Sequence, residues 1–218
     1  MQVDIWSDTR CPFCYIGKRK FEKALAKFPY SDKINVEWHS FELDPNISTQ
    51  KGVSIHDYLS EIKGISRESS IDMHDRVKEA AGQVGLNYNF DTTVVANSFD
   101  AHRLIQLAKQ KGLGDAAEER LFKAYFTEGK DISDHLTLII LGNEIGLDGK
   151  LIKQMLDSDD YAFEVRQDEK MAQTAGIRGV PYFVFNNRYA VSGAQEPEVF
   201  LKAMEKAWTE YEQSSVSV

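Results

Sequence analysis

The sequence predicts an α/β fold in which a mixed sheet of four or five strands is interrupted by an inserted helical segment. Three observations indicate this class. A strand, a helix and a second strand follow one another over residues 1–43, an order that favours a parallel strand pair with a right-handed crossover. Helical periodicity then continues to Gly176. After Gly176 the strand pattern returns, and neither flank can close a sheet alone.

The predicted domains follow from that order. We expect residues 1–50 and 177–218 to form one discontinuous α/β domain, and residues 51–176 to form an all-helical domain inserted into it. No linker rich in Pro, Gly or Ser divides the chain into two halves in series. An insertion therefore fits the pattern better than a second consecutive domain.

The first flank contains a strand over residues 2–6, in which Val3 and Ile5 share one face. Pro12 opens the helix that follows, because its fixed φ and missing N–H suit the first helical position. An apolar stripe that includes Phe21 runs along that helix. Alternating residues from Ile34 predict a second strand that continues towards Leu43.

The insertion shows seven segments with helical periodicity, several of which begin at a capping residue and end at a glycine. Their predicted starts are Ser54, Ser69, Ala101, Asp115, Asp134, Leu151 and Val165.

The last flank begins with the aromatic strand Tyr182–Phe185. Asn186 and Asn187 tolerate positive φ, so they predict the turn of a β-hairpin that continues into residues 189–191. Pro197 opens a final helix.

Composition excludes several function classes. Lys and Arg total 26 against 34 Asp and Glu, which gives a net charge of −8 and no basic run. Such a chain is a poor partner for nucleic acid or an anionic membrane. No apolar segment reaches the length of a membrane span, and the N-terminus lacks the pattern of a secretion signal. We therefore expect a soluble, cytoplasmic protein.

The only two cysteines form Cys11-Pro12-Phe13-Cys14, between the first strand and the first helix. This spacing brings the two sulfurs close together and leaves Cys11 at the helix N-terminus. Unpaired N–H groups and the helix dipole stabilise a thiolate there, which makes Cys11 the candidate nucleophile. Cys14, one turn further along, is the candidate to resolve a mixed disulfide.

The two cysteines allow two other interpretations. A structural zinc site needs about four ligands, and the five histidines form no pair with ligand spacing. Two inert cysteines are the other alternative. A C-x-x-C pair beside a β-α-β pattern is instead the redox signature, and no metal ligand is predicted.

A second motif is Gly179-Val180-Pro181-Tyr182. Proline is out of place in the centre of a strand. It fits if the Val180–Pro181 bond is cis and begins an edge strand that faces the cysteines. Val180 would then offer main-chain groups to an extended substrate.

These motifs, together with longer strings, resemble the DsbA-like branch of the thioredoxin superfamily, and more closely its FrnE-like subgroup. The similarity spans nearly the whole chain and is carried by CPFCYIGK, FELDPN (41–46), ANSFDAHRL (96–104), LFKAYFTEGKDI (121–132), GVPYFVF and SGAQ (192–195). The resemblance implies a thioredoxin fold with a helical insertion. It also implies thiol–disulfide oxidoreductase activity, with Cys11 as nucleophile, Cys14 as resolver and Pro181 as the cis-proline.

The resemblance places the third predicted helix over the active-site cleft. Asn97 and His102 are candidate substrate-lining residues there, and His102 is alternatively a proton carrier or a packed, capping histidine. Gln195 either orients the cleft or caps the last helix. Lys18 and Arg19 are expected to be solvated. The predicted substrate-binding residues are Pro12, Phe13, Val180, Pro181, His102, Asn97 and Gln195.

The chain departs from DsbA-type periplasmic enzymes, which it otherwise resembles, because they carry His between the cysteines. Phe13 cannot favour the Cys11 thiolate as a charged imidazole would, so we expect a less oxidising disulfide. In a reducing compartment the dithiol form should dominate, which favours reduction or isomerisation.

The expected partners are thiol and disulfide substrates, of protein or small-molecule type, and the expected assembly is a monomer or homodimer. No bound cofactor is expected, with glutathione as a candidate reductant. The rival function is a glutathione-dependent enzyme similar to kappa-class transferases or 2-hydroxychromene-2-carboxylate isomerases, which need no resolving cysteine. A further alternative is a peptide-binding, chaperone-like module.

Overall fold

The computed structural model describes residues 1–216. The strands found there are β1 (Gln2–Ser7), β2 (Asn35–Ser40), β3 (Gln50–Ser54), β4 (Val94–Val95), β5 (Tyr182–Phe185) and β6 (Tyr189–Ser192). The helices found there are α1 (Pro12–Leu25), α2 (Ile55–Lys63), α3 (Arg67–Gly82), α4 (Phe99–Lys109), α5 (Gly114–Phe126), α6 (His135–Glu144), α7 (Gly149–Leu156), α8 (Ala162–Thr174) and α9 (Pro197–Val216).

The two flanks of the chain share one four-stranded sheet, in the order β2-β1-β5-β6. The central strand β1 pairs parallel with β2 and antiparallel with β5, so that Ile5 lies between Trp38 and Phe183. Strands β5 and β6 form the predicted hairpin, with Asn186 and Asn187 at φ 51° and 55°. The sequence prediction of a mixed sheet assembled from both flanks is confirmed.

The second strand is shorter than the sequence predicts. Its last residue is Ser40, and the strand does not continue to Leu43. The Leu43 N–H donates instead to Asp8 Oδ2 at 2.8 Å. The chain therefore leaves the sheet to satisfy the carboxylate of a buried aspartate.

One face of the sheet is covered by α1 and α9. Phe21 of α1 contacts Phe183, Phe185 and Phe200 at ring-centroid distances of 5.6, 6.3 and 6.0 Å. These side chains are buried, and burying an aromatic side chain of this size contributes about 1.5–3 kcal/mol. The resulting core fixes the helix that carries the cysteines against the sheet.

Residues 51–176 are predominantly, but not purely, helical. Strands β3 and β4 form a two-stranded antiparallel sheet between residues 50 and 95. The sequence analysis missed it, because β3 is polar and largely exposed and β4 is only two residues long. The domain boundaries 1–50 with 177–218, and 51–176, stay a prediction, and residues 217 and 218 lie outside the described part of the chain.

Of the four predicted capping residues in this segment, Ser54 and Asp134 are the N-caps found, and Ser69 and Asp115 are not. Asp134 caps α6 by accepting the Thr137 N–H at 2.9 Å, as predicted. Helix α3, however, begins one turn early after Ser66, whose hydroxyl accepts the Ser69 N–H at 3.1 Å. Helix α5 begins at Gly114, one residue before Asp115, so the Asp115 carboxylate does not cap this helix and makes a different contact.

That contact involves a buried lysine. Lys18 is only 1% exposed, contrary to the expectation of a solvated side chain. Its ammonium group pairs with Glu22 and lies 3.1 Å from Asp115 Oδ1 and 3.5 Å from Glu119 Oε2. Asp115 also accepts the Trp38 indole N–H at 3.0 Å, so the cluster connects α1, α5 and β2.

Along residues 1–216 the structure has no helix long and apolar enough to span a membrane.

Candidate active site

Cys11 is the N-cap residue of α1, with Pro12 as the first helical residue. Its N–H donates to the Asp8 carbonyl at 2.9 Å, and its own carbonyl accepts the Cys14 N–H at 3.0 Å. These bonds hold the Cys11 thiol at the end of the helix where the dipole is positive. An anionic sulfur is stabilised in that position.

The two cysteines are free thiols, and both are buried, with Cys11 4% and Cys14 1% exposed. Burial raises the pKa of the Cys14 thiol well above its ordinary value, and the neighbouring Cys11 raises it further. Hydrogen bonds from the Asp8 main chain and the Ser7 hydroxyl oppose this shift. Cys14 therefore holds its proton at neutral pH, as a resolving thiol does before its turn to react.

The peptide bond between Val180 and Pro181 is cis, the isomer that the sequence predicts. The Cys11 Sγ donates to the Val180 carbonyl across a distance of 3.5 Å. The Pro181 carbonyl accepts the Gly193 N–H at 2.8 Å, which attaches this loop to the end of β6. The second sequence motif therefore lies directly against the nucleophile candidate. The strand that follows it, β5, is however an interior strand between β1 and β6 and not the predicted edge strand.

Helix α1 approaches this proline so closely that only glycine fits between them. A Cβ placed on Gly17 would lie 2.9 Å from Pro181 Cγ and 3.4 Å from Phe183 Cζ. Since ordinary carbon–carbon contacts are about 3.5–4.0 Å, any side chain at residue 17 would push the helix and the loop apart. Gly17 thus sets the spacing between the two halves of the site.

A tyrosine from the helical segment supports the cysteine turn, and the sequence analysis missed it. The Tyr88 hydroxyl donates to the Pro12 carbonyl at 2.7 Å. Its ring stacks on Phe126 at 4.7 Å and lies 6.2 Å from the Tyr15 ring. No pattern around residue 88 indicates this role, because the contact joins residues 76 positions apart.

His102 lies inside the protein and not on the wall of an open cleft. Its side chain is fully buried, and Nε2 lies 3.5 Å from Oδ1 of the equally buried Asp8. Burial lowers the pKa of His102, but the Asp8 carboxylate outweighs burial, so the pKa of the imidazole is raised. The pKa of Asp8 is correspondingly lowered, since His102 outweighs the effect of burial there. In this conformation a substrate cannot contact the imidazole directly.

Two further carboxyl groups are buried near this pair. Burial raises the pKa of Glu118 to about 8, even though the charge of His102 opposes the shift. Burial also raises the pKa of Glu42, although Arg166 pairs with it. Oε2 of Glu118 and Oε1 of Glu42 have no hydrogen-bond partner among the described residues. No catalytic pattern in the sequence marks either side chain, because Glu42 lies in the loop after β2 and Glu118 lies on the amphipathic helix α5.

The remaining predicted site residues divide into two groups. Phe13 is 47% exposed, while Pro12 and Val180 are half-buried, so these three are accessible beside Cys11. Asn97 precedes α4 and does not lie on it, contrary to the sequence analysis. Its amide donates to the Ile47 carbonyl and accepts the Phe99 N–H, both within the fold.

Gln195 belongs to the loop between β6 and α9. Its side chain donates to the Ser192 carbonyl at 2.9 Å, and its N–H donates to the Gly193 carbonyl at 3.0 Å. It therefore braces the loop that holds the Pro181 carbonyl. Its exposed position leaves the predicted cleft role open.

The arrangement is suited to thiol–disulfide exchange. A thiol at a helix N-terminus, a second buried thiol one turn behind it and a main-chain carbonyl in front provide nucleophile, resolver and docking edge. Among residues 1–216, the carboxylate and imidazole groups that lie close enough to share a cation are found elsewhere, on the sheet.

The chain matches known proteins along most of its length. The family model described as DSBA-like thioredoxin domain matches residues 2–205. The uncharacterized protein YwbO of Bacillus subtilis (strain 168) is 31% identical over 206 residues, which cover 94% of this chain and 96% of that protein. The crystal structure of a probable DsbA oxidoreductase, SCO1869 from Streptomyces coelicolor, is 39% identical with a TM-score of 0.91 and covers 96% of this chain and 91% of that one.

More distant solved structures share the fold alone. A 2-hydroxychromene-2-carboxylate isomerase is 14% identical with a TM-score of 0.68, covering 100% of this chain and 98% of that one. The cytosolic disulfide reductase DsbM from Pseudomonas aeruginosa, with GSH, is 16% identical with a TM-score of 0.63, covering 100% of both chains. The same fold thus occurs in a disulfide reductase and in a 2-hydroxychromene-2-carboxylate isomerase, which represent the two alternative functions considered from the sequence. The match over residues 2–205 decides the family: this chain is a member of the DSBA-like thioredoxin domain family.

Proposed function

We propose that this protein is a thiol–disulfide oxidoreductase that reduces or isomerises disulfides with the Cys11–Cys14 dithiol. The observation that supports this most directly is the position of the Cys11 Sγ, 3.5 Å from the Val180 carbonyl and beside the free, buried Cys14 thiol. Membership of a family of DsbA-like oxidoreductases supports redox chemistry on thiol or disulfide substrates. The FrnE-like subgroup stays a prediction.

In the first step the Cys11 thiolate attacks one sulfur of a substrate disulfide. The substrate S–S bond breaks, a mixed disulfide forms on Cys11, and the leaving thiolate takes up a proton. Cys14 then loses its proton and attacks the Cys11 sulfur, which releases the second substrate thiolate. The substrate gains two electrons and two protons, and the cysteine pair becomes a disulfide. Isomerisation ends instead when another substrate thiol attacks the mixed disulfide.

The substrate segment lies along the Val180–Pro181 edge in this proposal. The Val180 main chain offers hydrogen bonds to an extended chain or to the peptide groups of a small thiol. The exposed ring of Phe13 provides an apolar contact beside the reacting sulfur. Asn97 and Gln195 are assigned to bracing their loops, because the amide of each already donates to a main-chain carbonyl within the fold.

The second step needs an acceptor for the Cys14 proton, because burial excludes bulk water from that thiol. We assign this role to the polar group formed by Asp8 and His102. The Asp8 main chain contacts Cys14, and its carboxylate shares its environment with the His102 imidazole. In this assignment the ionised Asp8 carboxylate accepts the proton, while His102, which is already protonated, stabilises that carboxylate and does not line the substrate path.

The proposed direction is reduction or isomerisation in a reducing compartment such as the cytoplasm. Glutathione or another dithiol would return the oxidised pair to the dithiol form. No metal or organic cofactor is required, since the thiol pair carries the electrons.

Insulin-disulfide reduction with dithiothreitol or glutathione as reductant tests the proposal. The wild-type protein should accelerate insulin precipitation, Cys11→Ser should abolish the effect, and Cys14→Ser should trap mixed disulfides at Cys11. A serine variant of an exposed residue far from the site, Thr174→Ser, serves as the control. Absence of any acceleration by the wild type would exclude the proposed activity.

The same variants distinguish the rival functions. A glutathione-dependent transferase or isomerase should retain its activity in Cys14→Ser, because it needs no resolving thiol. A chaperone-like module should suppress aggregation equally well when both cysteines are serine. Either result, combined with no disulfide exchange, would replace the proposal.

A further inference from the structure

A second polar cluster lies at the β2 edge of the four-stranded sheet, on the face covered by α4 and α8. Asp4 of β1 and Glu37 of β2 are partners in the parallel register, and His39 lies two residues after Glu37 on the same face. One potential ligand atom from each of the three lies within 4.8 Å of the others. The Asp4 Oδ1 and His39 Nε2 atoms are 2.9 Å apart. Two atoms that ligate one metal ion at about 2.0–2.2 Å can stand at such a separation.

The histidine of this cluster is oriented as metal-binding histidines are. Its second ring nitrogen, Nδ1, lies 2.8 Å from Asp168 Oδ1. The other oxygen of Asp168 accepts the Ser40 N–H at 2.8 Å and the Gln106 amide at 2.6 Å. The ring also stacks on Trp6 at 4.5 Å. A buried carboxylate that fixes the far nitrogen of a ligating histidine is a general feature of metal sites.

Charge and access also favour a cation. When the His39 imidazole is neutral, Asp4, Glu37 and Asp168 together carry three negative charges. Against them stands the one positive charge of Lys109, whose Nζ lies 3.2 Å from Glu37 Oε1. A divalent cation would balance the difference. A cavity of about 450 Å³ between α4 and α8 opens onto Glu37 and His39, so an ion can enter from solvent.

A fourth ligand is available beside these three. The Gln2 side-chain nitrogen lies 3.1 Å from Asp4 Oδ1 and 3.3 Å from Glu37 Oε2. Turning the amide over would present its oxygen to an ion held by the two carboxylates, at the cost of the bond that Asn35 Nδ2 now donates to Gln2 Oε1 at 2.6 Å.

We propose that Asp4, Glu37 and His39 form a binding site for a first-row divalent transition metal such as Zn²⁺. The ion would be held by two carboxylates and the His39 Nε2 atom and would join β1 to β2. This site is separate from the cysteines and does not depend on the proposed oxidoreductase function. Spacing rules did not reveal it, because its ligands come from two adjacent strands more than 30 residues apart.

The imidazole of His39 determines which metal suits the site. First-row transition metals such as Zn²⁺ and Co²⁺ bind an imidazole nitrogen strongly, whereas Mg²⁺ prefers oxygen ligands and retains its water. The proposal therefore separates Zn²⁺ and Co²⁺ from Mg²⁺.

Calorimetric titration of the full chain with ZnCl₂ tests the proposal, with the cysteines first oxidised to a disulfide so that thiolates cannot bind the metal. We expect one ion per chain and at least tenfold weaker binding of MgCl₂. Glu37→Gln should weaken Zn²⁺ binding at least tenfold. Glu164→Gln removes the same charge from the wall of the same cavity and should change the affinity less than twofold.

A spectroscopic measurement keeps the test independent of variants. Co²⁺ added to the oxidised wild type should shift or broaden the NMR signals of the His39 ring selectively among the five histidines. No saturable Zn²⁺ binding would overturn the proposal. Equal effects of Glu37→Gln and Glu164→Gln, or cobalt effects that spare His39, would overturn it as well.

Discussion

Replacing Gly17 with alanine tests how the two halves of the candidate site fit together. An alanine Cβ would lie 2.9 Å from Pro181 Cγ, about 0.6 Å or more inside an ordinary carbon–carbon contact. The nearest atoms belong to a proline ring and to the buried Phe183, neither of which can swing away like a long flexible side chain. The helix and the proline loop must therefore separate.

The size of the effect follows from two opposing terms. Overpacking of this kind costs about 1–3 kcal/mol. Alanine in place of glycine inside a helix returns about 1 kcal/mol. We therefore expect Gly17→Ala to lower the free energy of unfolding by about 0–2 kcal/mol. Because the separation widens the gap between Cys11 and Val180, we also expect about tenfold slower insulin reduction, since a misplacement of about 1 Å can cost 100-fold in rate.

Gly82→Ala is the matched control. Gly82 also lies in a helix, but a Cβ there meets no atom within 4 Å. The free energy of unfolding of this variant should rise by up to about 1 kcal/mol, and its activity should be unchanged. Urea denaturation of both variants isolates the contact with Pro181, because the helix term is common to both. Equal stabilisation of the two variants, with unchanged activity, would refute the close approach of α1 to the proline.

Three further predictions concern stability and are measured by urea denaturation. Tyr88→Phe removes the hydrogen bond to the Pro12 carbonyl and should lower the free energy of unfolding by about 0.5–1.5 kcal/mol. Tyr161→Phe removes an exposed hydrogen bond and should leave the free energy of unfolding almost unchanged. Equal costs would contradict the buried bond. Arg103 is 4% exposed and donates to the carbonyls of residues 155, 158 and 160. Because lysine lacks the planar set of donors, Arg103→Lys should lower the free energy of unfolding by about 2 kcal/mol or more. A neutral result would mean that these carbonyls find other donors. The raised pKa of Glu118, about 8, means that the folded state keeps a proton that the unfolded state has released above about pH 4.5. Wild-type stability should therefore fall between about pH 4.5 and pH 8, by at most about 1.4 kcal/mol per unit from this group, and Glu118→Gln should remove that slope. An unchanged slope in the variant would assign it to other groups.

The parts of the fold that sequence analysis predicted correctly depend on local periodicity. The strand before Cys11, the helix opened by Pro12 and the hairpin with two asparagines at its turn all follow from neighbouring residues. The errors occurred where local signals are weak. The sequence predicts that α3 starts at Ser69, and only the structure shows that Ser66 is its cap.

The residues of the candidate site also fall into those that a short sequence pattern reveals and those that only distant packing explains. The CPFC motif and the Val180–Pro181 motif were found in the sequence, because each is a short pattern with a chemical reason. The sequence singled out His102 but could not decide between a packed and a cleft-lining histidine, and it did not indicate Asp8 or Glu118. Whether such a side chain is solvated or buried depends on what packs over it, and those neighbours lie far away in the chain.

The sequence by itself determined the α/β class, the order of elements, the cysteine pair and the proline, since all of these are encoded within a few residues. The sequence also predicted that the proline faces the cysteines, whereas the tertiary structure alone decided that Gly17 is the spacer between them and that Lys18 is buried. It also brought Asp4, Glu37 and His39 onto one face of the sheet. The physical reason is that burial and the charges of distant neighbours set the pKa, accessibility and partners of each side chain, and only the folded chain brings those neighbours together.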